Sequence, residues 1–579
     1  MPSHPVSPLG SKTRVLLTSV FGPYAQDDEF GSRTINPMEL YQNQVTRVQG
    51  VFSLRMFHRS FGLMLMQANM DAPCTLLDFP TRDRFIEVLQ ENDYDLVGIS
   101  SIMTNIGKVA EMCRLIRQHL PQATIVVGGH IANFGGIENC VDADHIVKGD
   151  GVRWFRRYLG QDENAPVRHP VTNSGHGTRI LGLKLPDKPG STAAMLIPSV
   201  GCPVGCNFCS TSAMFGGKGK SINFYETGDE LFEVMRRLES ELKVSSFFVM
   251  DENFLFHRKR ALRLLELMEA QGKSWSLYVF SSAKVIRSYS MEQLIGLGIS
   301  WVWMGLEGKE SQYAKLSRVD TLELVGQLRD HGIAVLGSSI IGLEEHRPEN
   351  LDEVIDYAVS HGTDFHQFML YTPIPGTPLH AEHLAKGTLL DDTEVSIPDV
   401  HGQCRFNFRH AHIPAGQEQH YLLEAFQRDF KVNGPSLARL VETGLKGWQR
   451  YKNHENPRIR ARYQGDVSKI KTVYAAAVWA MRKWYQDQPA MAARLDGLLK
   501  GFYAEFGWIT RAVAAVVGRY LLRKMKAEEA RLAKGWSYEP QTFFEKNPQA
   551  LALERRREQP APKPVSPLGK VVPTNAGPC

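Results

Sequence analysis

The chain has 579 residues, 43% of them hydrophobic and 22% charged, a globular composition with room for three or four domains. A net charge of +5 over this length makes no case for nucleic acid as a partner, and no apolar run reaches the roughly 18 residues of a membrane helix. Eight cysteines, five of them scattered, and an N-terminus without a secretory pattern suit a reducing, cytoplasmic setting.

Residues 1–12 are rich in Pro and Ser and read as disordered. From residue 13 strand and helix patterns alternate. Strands are expected at 13–20, 74–79, 96–100, 123–128 and 145–147, and a helix at 105–120, where Ile106, Val109, Met112, Cys113 and Ile116 recur at helical spacing. Apolar strands alternating with helices predict a Rossmann-like (flavodoxin-like) parallel sheet domain over 13–160. Ligands of such sheets sit beyond the carboxyl ends of the strands. Here those ends carry Ser100, Ser101 and Thr104, then Gly128, Gly129 and His130, then Gly149. No G-x-G-x-x-G follows the first strand, so a dinucleotide is not expected. Residues 21–49 form a long polar stretch, read evenly as a cap over a ligand or as a surface excursion. Residues 51–70, rich in Phe and Met, read as a helix, and the Pro/Gly-rich residues 161–190 as a linker.

Strand–helix alternation resumes over 191–390, with strands expected at 193–198, 246–250, 275–280, 301–305, 334–341 and 365–370. Six such units make a partial (β/α)6 barrel, which leaves a side opening and places chemistry at the strand ends. Those ends carry Met250, Asp251, Glu252 and Asn253, then Ser281 and Ser282, Gly305 and Glu307, Gly342 and Glu344, and Tyr371 and Thr372. Thr227 and Glu230 form a capping box at the head of one helix. Just after the first strand stand Cys202, Cys206 and Cys209 in a C-x3-C-x2-C spacing, with Gly201 and Gly205 between them. A structural zinc site would take a fourth protein ligand, usually from a second pair, and no Cys or His follows Cys209 at such spacing. Three thiolates on one loop instead suit a [4Fe–4S] cluster with one iron left open.

With Phe208 before the third cysteine, this loop resembles the signature of radical S-adenosylmethionine (SAM) enzymes. The phrases LVGISS and VVGGH just upstream, and PIPGTPL at 373–379, resemble the B12 (cobalamin)-binding branch of that family. The resemblance covers about residues 13–379. It implies that Cys202, Cys206 and Cys209 hold the cluster and that the open iron chelates SAM. Phe208, Met250, Asp251, Glu252, Ser281, Gly305 and Glu307 would contact SAM. Ser100, Ser101, Thr104, Gly128, Gly129, His130 and Gly149 would contact cobalamin. The D-x-H-x-x-G loop that carries a cobalt-ligating His in many B12 enzymes is absent: Asp142 and His145 have the wrong spacing, and Asp364 and His366 lie outside the domain.

Residues 391–553 read as a helical domain, with helices at 417–432, 435–451, 467–486, 491–506 and 510–534. Basic residues (Arg450, Lys452, Arg458, Arg460, Arg462) and aromatic ones (Trp448, Tyr474, Trp479, Trp484, Tyr485) cluster there. They are read as ordinary packing with a solvated basic face, with peripheral contact to lipid as the alternative. Residues 554–579 read as a disordered tail.

The resemblance implies methyl transfer to an unactivated carbon through a 5′-deoxyadenosyl radical and methylcobalamin. The substrate would be a small or lipid-like molecule, and the electron donor a flavodoxin or ferredoxin. A B12-dependent cyclase or rearrangement enzyme, and an iron–sulfur sensor without turnover, are the alternatives.

Overall fold

The computed structural model describes residues 5–22, 29–32, 35, 39–187, 190, 192–308, 319–468, 470–536, 538–539 and 541–558. Two six-stranded sheets organise it. In the first, strands Cys74–Asp78, Val15–Thr18, Leu96–Ser100, Thr124–Gly128 and His145–Ile146 lie side by side and parallel, with Val15–Thr18 inside, which is the flavodoxin-like order. Alternate residues face opposite layers, so these strands are apolar throughout. Leu16, Val97, Ile125 and Val127 pack on helices Arg82–Glu91 and Ile106–His119. Val15, Leu17, Leu96 and Val126 pack on helices Phe61–Ala68 and Gly151–Tyr158.

Four expectations about the connecting segments change. The stretch 51–70 is not one helix: strand Arg55–Phe57 precedes helix Phe61–Ala68, because residues 55–57 pair with His176–Ile180. The expected linker 161–190 accordingly contains a hairpin, His176–Ile180 with Leu183–Lys184. At the N-terminus, Ser7 donates its N–H to Tyr158 O at 2.7 Å, and its hydroxyl meets Thr13 Oγ1, also at 2.7 Å, so residues 7–12 are anchored. Beyond the helical region, strand Phe543–Lys546 adds antiparallel to the outer edge of Cys74–Asp78, and helix Pro548–Glu558 carries order past residue 554. That added strand covers an edge that would otherwise present unpaired backbone groups.

The second sheet is the partial barrel. Its six strands, Ala194–Leu196, Ser246–Val249, Ser276–Phe280, Ile299–Glu307, Ala334–Ile341 and Phe365–Leu370, are parallel and in sequence order. One described part of the polar stretch 21–49, around residues 41–45, packs against this barrel, while Phe21 and Phe30 pack on the first domain. Tyr41 and Val45, in a π-helical turn, pack on Leu336 and Phe365, and Gln367 Nε2 donates to Gln44 Oε1 at 3.2 Å. The remaining residues of that stretch, 23–28, 33–34 and 36–38, lie outside the described residues.

Helices Glu418–Asn433, Ser436–Tyr451, Pro457–Tyr463, Lys471–Trp484 and Pro489–Leu532 form the helical layer, the last broken at Gly507 (φ 76°). Within it a buried ion pair joins Arg439 to Asp429 at 2.8 Å, and Arg439 ties the layer to the barrel by donating to Thr363 O. Arg458 and Arg462, expected on a solvated face, instead donate to Lys273 O and Ile295 O of the barrel.

Asn547 joins the C-terminal return to the first sheet. Its Oδ1 accepts from Cys74 N at 3.0 Å and from Ala550 N at 2.9 Å, and its Nδ2 donates to Ala72 O. Asn547→Ala leaves these buried partners unmet and is expected to lower unfolding stability by about 2–3 kcal/mol, measured by urea denaturation. A change near zero would mean that this return does not contribute to folding.

Candidate cofactor and active site

The cysteine loop leaves the first barrel strand and is shaped by its glycines. Gly201 (φ 86°) and Gly205 (φ 72°) adopt left-handed backbone. A Cβ on Gly201 would lie 2.7 Å from Phe215 Cβ, and one on Gly205 2.5 Å from Lys218 Cα. Only glycine lets the loop fold this tightly. Cys209 N–H donates to Cys206 O at 3.1 Å, and Ser212 clamps the loop by donating its hydroxyl to Cys202 O and its N–H toward Cys209 Sγ.

All three cysteines line one cavity of about 460 Å³ at the carboxyl ends of the barrel strands. Phe208, Glu252, Ser281, Gly305 and Glu307 line it as well. Met250 and Asp251 do not: Met250 packs toward the first sheet, and Asp251 turns away to Arg260. Arg260 Nη2 meets Asp251 Oδ2 at 2.6 Å with both side chains buried. Asp251 also accepts from the Ser199 hydroxyl, at the root of the cysteine loop, and from Asn253 N–H at 3.0 Å. Asn253 Oδ1 in turn accepts from Ser281 Oγ at 2.8 Å and Ser282 N at 3.1 Å. One chain of bonds thus fixes the ends of the first three strands.

Burial pushes the Glu252 carboxyl up to about 7, opposed by the Gly201 N–H. Its Oε2 is buried with no hydrogen-bond partner among the described residues. Glu307 is buried at φ 53°, a strained conformation for a glutamate, where the pairing register shifts between Gly305 and Glu307. Burial, with the neighbouring thiols and Glu252 adding, pushes the Cys202 thiol up to about 11; a bound cation would reverse that shift.

The deeper wall adds Phe280, Trp303, Ser338, Gln367 and Met369, which the sequence reading did not single out. Trp303 Nε1 donates to Ser338 Oγ at 2.8 Å, and Ser338 donates to Gln367 Oε1 at 3.0 Å. Trp303 also stacks on Phe280, with ring centroids 5.1 Å apart. Trp303 and Gly305, and Gln367, Met369 and Tyr371, line the cavity at every second position of their strands. That period-two signal was readable once one inward residue was known. His401 reaches the same cavity from beyond the barrel, where no pattern marks it. Gly342 and Glu344 serve elsewhere: Gly342 packs against Phe406, and Glu344 faces Lys386 on the surface.

A second cavity, of about 150 Å³ and mostly apolar, opens at the strand ends of the first sheet. Ser100, Gly128, Gly129 and Gly149 line it, with Gly62, Met66, Gly98 and Phe155. Gly129 (φ 83°) leaves no room for a side chain, since its Cβ would stand 2.7 Å from Ser101 O. Ser101, Thr104 and His130 lie in the neighbouring loops and are not among its lining residues. The Thr104 hydroxyl is buried without a hydrogen-bond partner among the described residues. Val200, Met214 and Phe215, which flank the cysteines, line this second cavity too. The PIPGTPL segment closes the junction: Gly376 packs on Asn133 of the first domain, while Leu379 N–H donates to Asn207 O between the cysteines.

The model of the B12 binding domain matches residues 58–159. An uncharacterized methyltransferase of Pyrococcus horikoshii is 22% identical over 339 residues, 52% of this chain and 72% of that protein. Bacteriochlorophyllide d C-8(2)-methyltransferase of Chlorobaculum tepidum is 23% identical over 364 residues, 58% of this chain and 79% of that protein. The radical S-adenosylmethionine methyltransferase TsrM from Kitasatospora setae, solved with cobalamin and a [4Fe–4S] cluster bound, superposes with a TM-score of 0.47 at 14% identity, covering 79% of this chain and all of that one. Residues 58–159 thus match a B12 binding domain, and over roughly half of its length the chain is similar to proteins named as methyltransferases.

Asp251 braces the cavity from behind, so its loss should be felt without any cofactor. Asp251→Ala strands the buried Arg260 charge and is expected to destabilise the cofactor-free protein by about 3–5 kcal/mol in denaturant titration. An unchanged midpoint would place Asp251 outside the structural frame.

Proposed function

We propose that the chain is a cobalamin-dependent radical SAM methyltransferase acting on an unactivated carbon of a small or lipid-like substrate. One observation carries this reading: a single loop, with the three cysteines facing one cavity and Val200, Met214 and Phe215 facing the other, separates the two cofactor sites. When bound, the cluster would supply the electron that cleaves SAM to a 5′-deoxyadenosyl radical, and cobalamin would supply the methyl group.

The residues fit these groups. Cys202, Cys206 and Cys209 offer three thiolates and leave one metal position to a ligand, which the orphaned Glu252 oxygen fits by accepting from an amino group. Phe208, Ser281, Gly305 and Glu307 would hold the rest of SAM, with Asn253 fixing the Ser281 hydroxyl. Phe280 and Trp303 present a flat apolar wall that keeps water from the reacting carbon. On the first domain, Gly62, Gly98, Gly128, Gly129 and Gly149 leave an apolar slot for the planar base of cobalamin, with Ser100 at its mouth. Ser101, Thr104 and His130 would meet the corrin side chains. The reductant would be a flavodoxin- or ferredoxin-type protein.

Reconstituted anaerobically with iron, sulfide and cobalamin, then given SAM and a reductant, the protein is expected to form both 5′-deoxyadenosine and S-adenosylhomocysteine. Cys206→Ala is expected to abolish 5′-deoxyadenosine. Nucleoside formation without S-adenosylhomocysteine would favour a cyclase or rearrangement enzyme, and no SAM cleavage by a four-iron protein would overturn the reading.

Gly62 sits on helix Phe61–Ala68 at the slot, with open space where its Cβ would be. Gly62→Phe is expected to raise stability by no more than about 0.5 kcal/mol through helix propensity while reducing bound cobalamin to a small fraction of the parent's. Undiminished cobalamin by absorbance would place the base elsewhere.

A further inference from the structure

Trp448, Tyr474, Trp479 and Trp484 pack in the helical core, as ordinary packing requires, and not on a lipid-facing surface. A different face is exposed. After the break at Gly507, Trp508, Ile509, Val513, Val516 and Tyr520 all point to solvent, with Trp508 77%, Val516 65% and Ile509 60% exposed. At 100° per residue they fall within about 140° of arc, one continuous apolar stripe over three turns. Lys471 lies over the Phe506 ring and Trp479 packs on Gly518, so helix Lys471–Trp484 runs alongside. That arrangement brings exposed Val473 and Ile470 to the same end as Trp508.

The charge around this stripe has one sign. Between residues 506 and 527 there are five cations, Arg511, Arg519, Arg523, Lys524 and Lys526, and no Asp or Glu; residues 467–486 also hold no acid. Of the acids just beyond these stretches, Glu505 is paired with Lys452 and Glu528 with Arg179, and Asp487 and Glu529 also stand at the margins. Among the described residues no helix is long and apolar enough to cross a membrane.

We infer that this face seats the protein on the surface of an anionic lipid bilayer, with Trp508 and its apolar neighbours in the headgroup–acyl boundary and Arg523 and Lys526 on lipid phosphates. An exposed apolar stripe flanked only by cations is the pattern of an interfacial helix, and a helix lying in the interface needs no spanning segment. This inference is independent of the cofactor chemistry.

The test is flotation of the full chain with vesicles of phosphatidylcholine, with and without phosphatidylglycerol. The chain floats with the phosphatidylglycerol vesicles and not with phosphatidylcholine alone, and high salt weakens the binding. The double variant Trp508→Ser with Val516→Ser, exposed positions whose fold is checked by circular dichroism, loses flotation. Arg523→Gln with Lys526→Gln lowers partitioning roughly tenfold or more. No flotation, equal binding to both vesicles, or binding indifferent to these changes overturns the inference. So does a parent dimer in light scattering that the Trp508/Val516 variant makes monomeric, which would give the face to a second copy of the chain.

Discussion

The buried pair of Asp251 and Arg260 is the constraint on which the candidate site depends. An unpaired charge in that interior would cost several kcal/mol, so each group holds the other in place. The remaining acceptor capacity of Asp251 is used on Ser199 and Asn253, which places the root of the cysteine loop and the end of the second strand in one rigid unit. Asn253 passes that rigidity to Ser281 and Ser282. The side chains that face the cavity are therefore held from behind by side chains that do not, and Glu252 is left with a buried oxygen aimed at whatever enters.

A second constraint joins the domains. The cysteine loop has two faces, and each lines a different cavity. PIPGTPL holds the loop between the domains: Gly376 allows backbone to meet Asn133, Thr377 caps the next helix by accepting from His380 N–H, and Leu379 reaches back to Asn207. Within the polar stretch 21–49, residues 41–45 pack against the barrel rather than forming a surface excursion. Gln44 supports Gln367, and through it Ser338 and Trp303, at the wall of the cavity.

Much of this was legible in the sequence, for identifiable reasons. Apolar runs located every parallel strand of the two six-stranded sheets, because strands buried on two faces have few polar positions to blur them. The cysteine spacing located the loop, since three ligands on one short segment carry their own geometry. What escaped was set by distant partners. Strand Phe543–Lys546 is four residues long and reads FFEK; only the open edge of Cys74–Asp78 makes it a strand. His176–Ile180 carries His, Gly and Arg, and pairs only because residues 55–57 lie beside it. Asp251 illustrates the same limit inside the site. A carboxylate at a strand end suggests a ligand, and Arg260, nine residues on, claims it. Trp479 and Trp484 pack in the core as read, whereas Trp508, just after the break at Gly507, is exposed, and no sequence pattern set it apart.

Cys202, Cys206 and Cys209 would hold a four-iron cluster and leave one metal position to a ligand in the cavity that Glu252 also lines. Electron paramagnetic resonance of the reduced, anaerobically reconstituted protein tests it directly, with spectra taken before and after SAM is added. A four-iron signal whose g-values shift on adding SAM is the predicted result. A spectrum that SAM leaves unchanged, from a cluster of full iron content, would contradict the account.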